Sequence, residues 1–371
     1  MRVDLFKYKL HDELVAKLPP KIRSDAKLMV VNRKKGTIEH RMFTDIIDYI
    51  NAGDVLVVND AYMSNNSIYA YKKMSPCIAK ANLSDDSDED DCDENSSEVD
   101  VIVNLIKEVD PVNHVWNIDA DPARKVRVGN KIYFRDFDMV GEVIENAPVK
   151  GRMMKLITNK TGDQIREELI HKGFTSVPKY LGNCPNNLSK DYLKGFFSKK
   201  PGSYNHVISS LHFDEKLVLK LEIKGVLIET LTYFLNNIQM NKFDTKTVNN
   251  TKKTPEFFNI SEKTIDTVTK RKNAGSKIFA VGYSTIMGLE NAYNVALNSF
   301  TAGDKMVVKS SFSESDFNIC DGYLTNFYEP SSMFLIVDSA FCGIDLLYKV
   351  YTEAIKHKYK FLIFGDSLLI I

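Results

Sequence analysis

The chain predicts an α/β fold in two parts: an open, barrel-like α/β domain and, inserted in it, a small antiparallel β-barrel. Three observations predict this. At 371 residues the chain exceeds one compact core of ordinary size. Toward both ends, apolar runs alternate with amphipathic helical stretches, the pattern that builds parallel sheets. Between about Ser64 and Pro148 short alternating strands at close spacing replace that pattern, as in a barrel or sandwich. The expected division is therefore 1–62 with 149–371 for the α/β part and 63–148 for the insert.

In chain order, Leu5 to Leu18 alternates apolar and charged residues and stops at Pro19-Pro20. Leu28 to Val31 is an apolar strand, with Thr37 to Met42 its hairpin partner after the Lys35-Gly36 turn. Phe43 to Ile50 has helical spacing, placing Phe43, Ile46, Ile47 and Ile50 on one face. The strand DVLVVND then ends in Asn59 and Asp60. The insert's strands are read at Ile68 to Tyr71, Val99 to Leu105, Val115 to Ile118, Lys131 to Phe134 and Met139 to Ile144. Beyond it, helices span Asp163 to Lys172 and Glu215 to Lys224, each closed by glycine. Val226 to Tyr233 is a strand, Ser261 caps a further helix, and Lys277 to Val281 is the next strand. Gly282 to Thr285 opens a helix that runs through Glu290 to Ser299. Leu346 to Lys356 is the last helix and Phe361 to Phe364 the last strand.

One stretch organises the rest, DGYLTNFYEPSSMFLIVDSAFCG, from Asp321 to Gly343. Thr325, Asn326 and Phe327 close a short apolar run before a Pro330 turn, which puts polar side chains at a strand's carboxyl end, where α/β sheets bind ligands. Met333 to Val337 is apolar on both faces and reads as a buried strand or the first turn of a core helix. Gly282 and Ser284, at a helix start, are placed to meet an anion.

Hydrophobic content of 44% and charged content of 26% are those of a soluble globular protein. No apolar run is long enough to span a membrane, and the acids in MRVDLFKYKLHDE do not suit a signal peptide, so a cytoplasmic protein is expected. Cys77, Cys92, Cys184, Cys320 and Cys342 are far apart and odd in number, which argues against a disulfide framework or a zinc site. Net charge is zero, but nine acids lie in the stretch SDDSDEDDCDENSSE at 84–98, expected to be a disordered loop. The rest of the chain carries 49 basic against 40 acidic residues. That excess suits a polyanionic partner such as RNA, or serves solubility alone.

Seven blocks carry a resemblance: RVDLFKYKL, IRSDAKLMVV, FTDIIDYINAGDVLVVND, KPG followed by LHFDEKLVLKLEIKGV, IFAVGYSTIMGLE, LTNFYEPSSMFLIVDSAFCG and KYKFLIFGDSLLI. Together, in order and from end to end, they resemble the S-adenosylmethionine:tRNA ribosyltransferase-isomerases of queuosine synthesis. The resemblance implies an open TIM-barrel-like α/β domain built from both ends of the chain, with an inserted β-barrel. It implies a reaction that moves the ribosyl part of S-adenosylmethionine onto 7-aminomethyl-7-deazaguanine at the wobble position of a tRNA anticodon and rearranges it to the epoxyqueuosine ring. It also implies no metal, no membrane, and action on the anticodon stem-loop by an expected monomer.

By the same resemblance, His212 and Asp366 are the expected catalytic pair, His212 as base or adenine contact or, equally, as a structural hydrogen bond. Arg23 with Ser24 would hold a phosphate or the methionine carboxylate, against a surface ion pair. Asn59, Asp60, Thr325, Asn326 and Phe327 would contact ribose or base, and Gly282, Ser284 and Glu290 complete the substrate set, Glu290 with a core ion pair as its other reading.

The chain departs from the family pattern at specific places. Ala61-Tyr62-Met63 and Asn65-Asn66-Ser67 stand where the family has Thr-Arg-Val and Pro-Ala-Arg. Asn205 to Ser210 replaces a small-residue loop, and Thr232 to Ile238 replaces a His- and Gly-containing run. TKKTP replaces a histidine-containing segment before Glu256, Met287 replaces an arginine and Tyr328 a histidine. Two functions follow: an active transferase-isomerase whose missing groups come from positions such as His206 or Tyr328, or a catalytically degenerate member that binds RNA or protein.

Overall fold

The computed structural model describes residues 3–63, 65–73, 98–146, 152–175, 179–181, 192–203, 205–235, 256–307 and 317–371. The acidic run, apart from Glu98, and the TKKTP segment lie outside these residues. The chain divides into two compact units, Met1–Met63 with Val177–Ile371, and Ser64–Ser176.

Strands of the first unit are β1 (Lys27–Asn32), β2 (Thr37–Met42), β3 (Val55–Asn59) and β4 (Ala61–Met63). The second unit supplies β5 (Ser67–Lys73), β6 (Glu98–Asp110), β7 (Val115–Asp121), β8 (Lys131–Phe134), β9 (Val140–Asn146), β10 (Arg152–Ile157) and helix α1 (Gly162–Lys172). The chain then returns to the first unit with β11 (Lys200–Ser203), α2 (Glu215–Ile223), β12 (Leu227–Phe234), β13 (Glu256–Ile260), α3 (Glu262–Asn273) and β14 (Ile278–Val281). It ends with α4 (Tyr283–Ala292), a short pair β15 (Tyr293–Asn294) and β16 (Ser299–Phe300), β17 (Gly303–Val307), β18 (Gly322–Asn326), α5 (Met333–Cys342), α6 (Ile344–Lys356) and β19 (Ser367–Ile370).

A nine-stranded open sheet, in the order β17-β13-β12-β3-β14-β18-β19-β1-β2, forms the backbone of the first unit. Its centre is parallel, because β12, β3, β14 and β18 pair in one direction and are joined through helices. Their sequences show why. β3 reads VLVVN and is buried throughout; Val55 and Val57 join one core and Leu56 and Val58 the other, so apolar groups cover both faces. β19 enters antiparallel to β18 and parallel to β1, so the last strand links the two ends of the chain.

The second unit is a closed, all-antiparallel six-stranded barrel, β10-β7-β6-β5-β8-β9, packed around Val103, Trp116, Ile118, Ile132 and Met154. β7, VWNIDAD, alternates intermediate and buried residues as a barrel strand must. This unit ends at Ser176 rather than at the expected 148. β10 pairs with both β7 and β9, so the barrel cannot close without it, and Ile165 and Leu169 of α1 belong to the barrel core.

Elsewhere local structure decides between open readings or corrects an expectation. Met333 to Val337 is the start of α5: Ser332 caps it by accepting a hydrogen bond from Phe334 N, and all-round burial, not strand pairing, explains the unbroken apolar run. Phe361 to Phe364 is a turn, since Leu362 takes φ +70° and Gly365 N donates to Leu362 O; the last strand begins at Ser367. α4 ends at Ala292, where Tyr293 and Asn294 pair with Phe300 and Ser299. Phe43–Asp48 is a 3-10 turn rather than an α-helix.

Asp54 pins the sheet centre, accepting from Lys277 N and Asn51 N at 2.8 Å each while buried. Asp54→Ala leaves both donors without their charged acceptor. It is expected to lower stability by about 2 kcal/mol, read as a fall in the urea midpoint of the first unit's transition with unchanged slope.

Candidate functional site

The parallel strands end together, and their carboxyl ends place the candidate site. β12 leads into Leu235, β14 into Gly282, and β18 into Phe327 and Tyr328. Leu235, Gly282, Tyr283, Ser284, Tyr328 and Glu329 line a cavity of about 70 Å³ together with the loop Asn205–Ser209, Tyr180, Ser332, Phe334, Leu362 and Ile363. This is the edge at which an α/β sheet offers backbone dipoles and loop side chains to a ligand.

Gly282 has φ +86°, a conformation that side chains resist, and a Cβ there would lie 3.2 Å from Ser209 Cβ. Its absence lets the 205–209 loop lie against the start of α4, whose N-terminus carries the positive end of the helix dipole. Behind it, Asn59 Nδ2 donates to Ser284 Oγ and to Tyr233 O, both at 2.9 Å, while Asn59 Oδ1 accepts from Ala61 N and Tyr233 N. Every polar group of that buried amide is thus used, one of them to hold Ser284. Thr325 Oγ1 donates to Tyr328 OH at 3.1 Å, and the Tyr328 ring stacks on Phe334 with centroids 4.4 Å apart. Burial pushes the Tyr328 hydroxyl far above its ordinary pKa, so it stays protonated. Tyr283, edge-on to Phe334, donates with Tyr233 to the buried Glu256 carboxylate.

The sequence-chosen residues divide into two groups. Gly282 and Ser284 line the cavity; Asn59 and Thr325 hold lining residues in place. Phe327 is buried among Tyr351, Tyr359 and Phe361, and Asn326 Nδ2 donates to Asp366 O at 3.5 Å. Asp60 accepts from Thr232 Oγ1 at 2.6 Å and ties Lys199 N and Lys200 N to its carbonyl.

Like Asp60, Asn326 and Phe327, the remaining five are not among the lining residues. Arg23 donates to Tyr192 O and Leu211 O at 2.7 and 3.1 Å and lies over the Tyr192 ring. Ser24 donates to Asp214, the N-cap of α2. Glu290 gathers Asn318 N, Ile319 N and Cys320 N, and burial raises its pKa. Asp366 accepts from Lys27 N and Lys360 N at 2.7 Å each; burial raises its pKa against those bonds. His212 Nε2 lies 2.7 Å from Gly365 O, and Nδ1 lies 3.0 Å from Arg23 O and 3.2 Å from Tyr192 OH. Both ring nitrogens thus face backbone carbonyl oxygens, with the tyrosine hydroxyl beside Nδ1, so the ring is held from both sides. Sequence reasoning missed Tyr180, Ser209, Glu329 and Ser332. Glu329 beside the Pro330 turn, directly after a strand end, was the available signal.

The family described as queuosine biosynthesis protein matches residues 3–370. This chain belongs to that family. Among curated proteins it is similar to the S-adenosylmethionine:tRNA ribosyltransferase-isomerase of Flavobacterium psychrophilum, 33% identical over 374 residues, and to that of Amoebophilus asiaticus, 32% identical over 371 residues, with 100% of each chain covered. Its fold is similar to the crystal structure of an S-adenosylmethionine tRNA ribosyltransferase from Thermotoga maritima, with a TM-score of 0.52, 23% identity, and 99% of this chain and 100% of that one covered. That structure shares the mixed α/β architecture with several sheets seen here. Among the described residues no helix is long and apolar enough to cross a membrane.

Burial lowers the His212 pKa. Below the ordinary histidine pKa of about 6.5 the unfolded chain takes up a proton that the folded one resists, so stability falls as pH drops through that value toward the lowered native pKa, by at most about 1.4 kcal/mol per pH unit. Urea midpoints between pH 7.5 and 5 are expected to slope less steeply for His212→Gln than for the natural sequence; equal slopes remove this group from the pH dependence.

Proposed function

We propose that this chain transfers and isomerises the ribosyl group of S-adenosylmethionine onto 7-aminomethyl-7-deazaguanine in tRNA, giving epoxyqueuosine. One observation carries the reading: a chain of this family, along its full length, keeps a cavity at the carboxyl ends of its parallel strands. The lining suits the cofactor. Val207, Ile208, Leu235 and Phe334 offer apolar surface to adenine, and the start of α4 with Ser284 offers N–H and hydroxyl groups to the methionine carboxylate. Glu329, the one carboxylate lining the cavity among the described residues, complements the sulfonium and is assigned as the base for the proton on the neighbouring carbon, with His206, also in the lining, as second acceptor. Protonated Tyr328 is the donor for the charge that develops as adenine leaves. His212 and Asp366 act as positioning residues, since they fix the Lys360–Ser367 turn that carries Leu362 and Ile363. Arg23, Ser24 and Glu290 secure the frame in the same way.

The nine-stranded sheet is read as an open relative of the TIM barrel, supported by its parallel centre and by the placement of the cavity. The anticodon stem-loop is the assigned RNA partner, bound by a cytoplasmic monomer through the basic excess outside the acidic run.

A second reading has its own support. Neither arginine nor lysine lines the cavity among the described residues, and Tyr328 stands where the family pattern has histidine. On that reading the chain binds RNA without chemistry.

Purified protein is incubated with S-adenosylmethionine and tRNA carrying the deazaguanine base, and free adenine is measured. Release at a rate above background is expected, and Glu329→Gln is expected to cut it at least a hundredfold. No release, beside a relative that does release adenine, overturns the enzyme reading. Filter binding of the same tRNA across a salt series then decides the second: a falling log–log line keeps RNA as partner, and a flat one removes it.

A further inference from the structure

On β2 and at the end of α6, three side chains outside the cavity converge. His40 projects from β2, and Glu353 and His357 stand one turn apart at the C-terminal end of α6. His357 Nε2 lies 2.7 Å from Glu353 Oε1, and His40 Nε2 lies 3.7 Å from the same oxygen. One donor atom from each residue can be chosen so that all lie within 4.8 Å of one another. The two imidazoles stack with centroids 4.3 Å apart and planes 27° from parallel.

We propose that His40, Glu353 and His357 form a site for a divalent transition metal of the zinc class. Two neutral imidazoles and one carboxylate are a donor set that zinc takes readily, with water in the fourth position. In a tetrahedral site with bonds of about 2.0–2.1 Å, donor atoms stand roughly 3.3 Å apart; the two separations from Glu353 Oε1, 2.7 and 3.7 Å, lie on either side of that spacing, and the third is no more than 4.8 Å. The side chains are 37%, 28% and 43% exposed for His40, Glu353 and His357, so an ion can enter from solvent and keep a water.

The orientation of His40 is the second observation. Its Nδ1 lies 2.9 Å from Tyr359 OH, and that hydroxyl donates onward to Leu28 O at 3.4 Å. With Nε2 on a metal, Nδ1 carries the ring proton and donates it to the Tyr359 hydroxyl, which passes its own proton toward Leu28 O. An outer hydrogen bond to the far ring nitrogen is what metal-bound histidines have, and it turns the His40 ring so that Nε2 faces the Glu353 carboxylate. Tyr359 is itself locked, buried against Phe327. Opposing this, Lys356 Nζ lies 3.5 Å from Glu353 and Lys27 Nζ donates to His357 O at 3.0 Å. Lys356 is 69% exposed and free to swing into solvent when a metal arrives, but both positive charges lower the affinity.

Because the ligands come from β2 and α6, the ion would brace the helix whose Tyr351 accepts from Tyr328 N at 3.1 Å. The site takes no part in the proposed reaction; its predicted effect is on stability.

The test uses untagged full-length protein freed of metal by chelator and dialysis. Zn²⁺ is titrated calorimetrically, and Co²⁺ is followed by its visible absorption. The expected result is a component of one Zn²⁺ per chain that raises Tm and gives a Co²⁺ spectrum of low coordination number. In His40→Ala/His357→Ala that component and the Tm rise disappear, while Tyr359→Phe, which keeps the ring, weakens it by about 10–100-fold. Unchanged circular dichroism and an unchanged metal-free Tm in the double variant show that its fold survives. No saturable component overturns the proposal, and so does one that persists in the double variant, which would put the metal on other groups such as the cysteines or the acidic run.

Discussion

The site depends on one buried amide. Asn59 sits at the end of β3, still paired with β12, and its side chain answers four buried polar groups at once: two of Tyr233, one of Ala61 and one of Ser284. A buried amide so fully used is worth far more than its pairwise bonds, because loss of any partner strands the rest in a low-dielectric interior. It holds the end of β12 and the first turn of α4 in one relation to β3. The cavity wall is built on that relation, and Ser284 and the glycine before it reach the ligand space only while it holds.

The rest of the first unit repeats the device. Carboxylates and carbonyls gather the loops that surround the strand ends: Asp54 at the amino end of β14, Asp366 between β1 and the last turn, Glu290 under the segment before β18, and His212 between Arg23 and Gly365. Each is polar and occupied by backbone, and all but the half-buried Glu290 are buried. A family resemblance that marks such residues as site residues is marking what shapes the cavity as well as what touches its contents. The distinction matters for chemistry, since a histidine with both ring nitrogens committed to its surroundings has no free proton to exchange until the turn around it opens.

Much of this was legible in the sequence, and the limits have physical reasons. The alternation of apolar and amphipathic runs showed the parallel centre, because strands covered on both faces must be continuously apolar, as VLVVN is. The carboxyl-end placement of Thr325 and Asn326 followed from the turn after them. The same logic left Met333 open between strand and helix, since a helix buried on all sides is as apolar as a buried strand and only the Ser332 cap separates the two. It failed at Phe361 to Phe364, where a left-handed Leu362 and the Asp366 clamp bend a strand-like sequence into a turn. The barrel's far boundary was hidden because closure is a pairing of β10 with two distant strands, which no local pattern encodes. At the site, helix starts and strand ends pointed to Gly282 and Ser284, whereas Ser209, Ser332 and Tyr180 come from loops that carry no period.

The central claim is that the cofactor lies where the parallel strands end, between the 205–209 loop, the start of α4 and the Tyr328 turn. Hydrogen exchange with and without S-adenosylmethionine tests it directly. The account predicts slowed exchange in three separated stretches, around Val207 to Ser209, Tyr283 to Thr285 and Tyr328 to Phe334, with little change in the β-barrel strands. Protection confined to the barrel, or none at saturating S-adenosylmethionine, would contradict it.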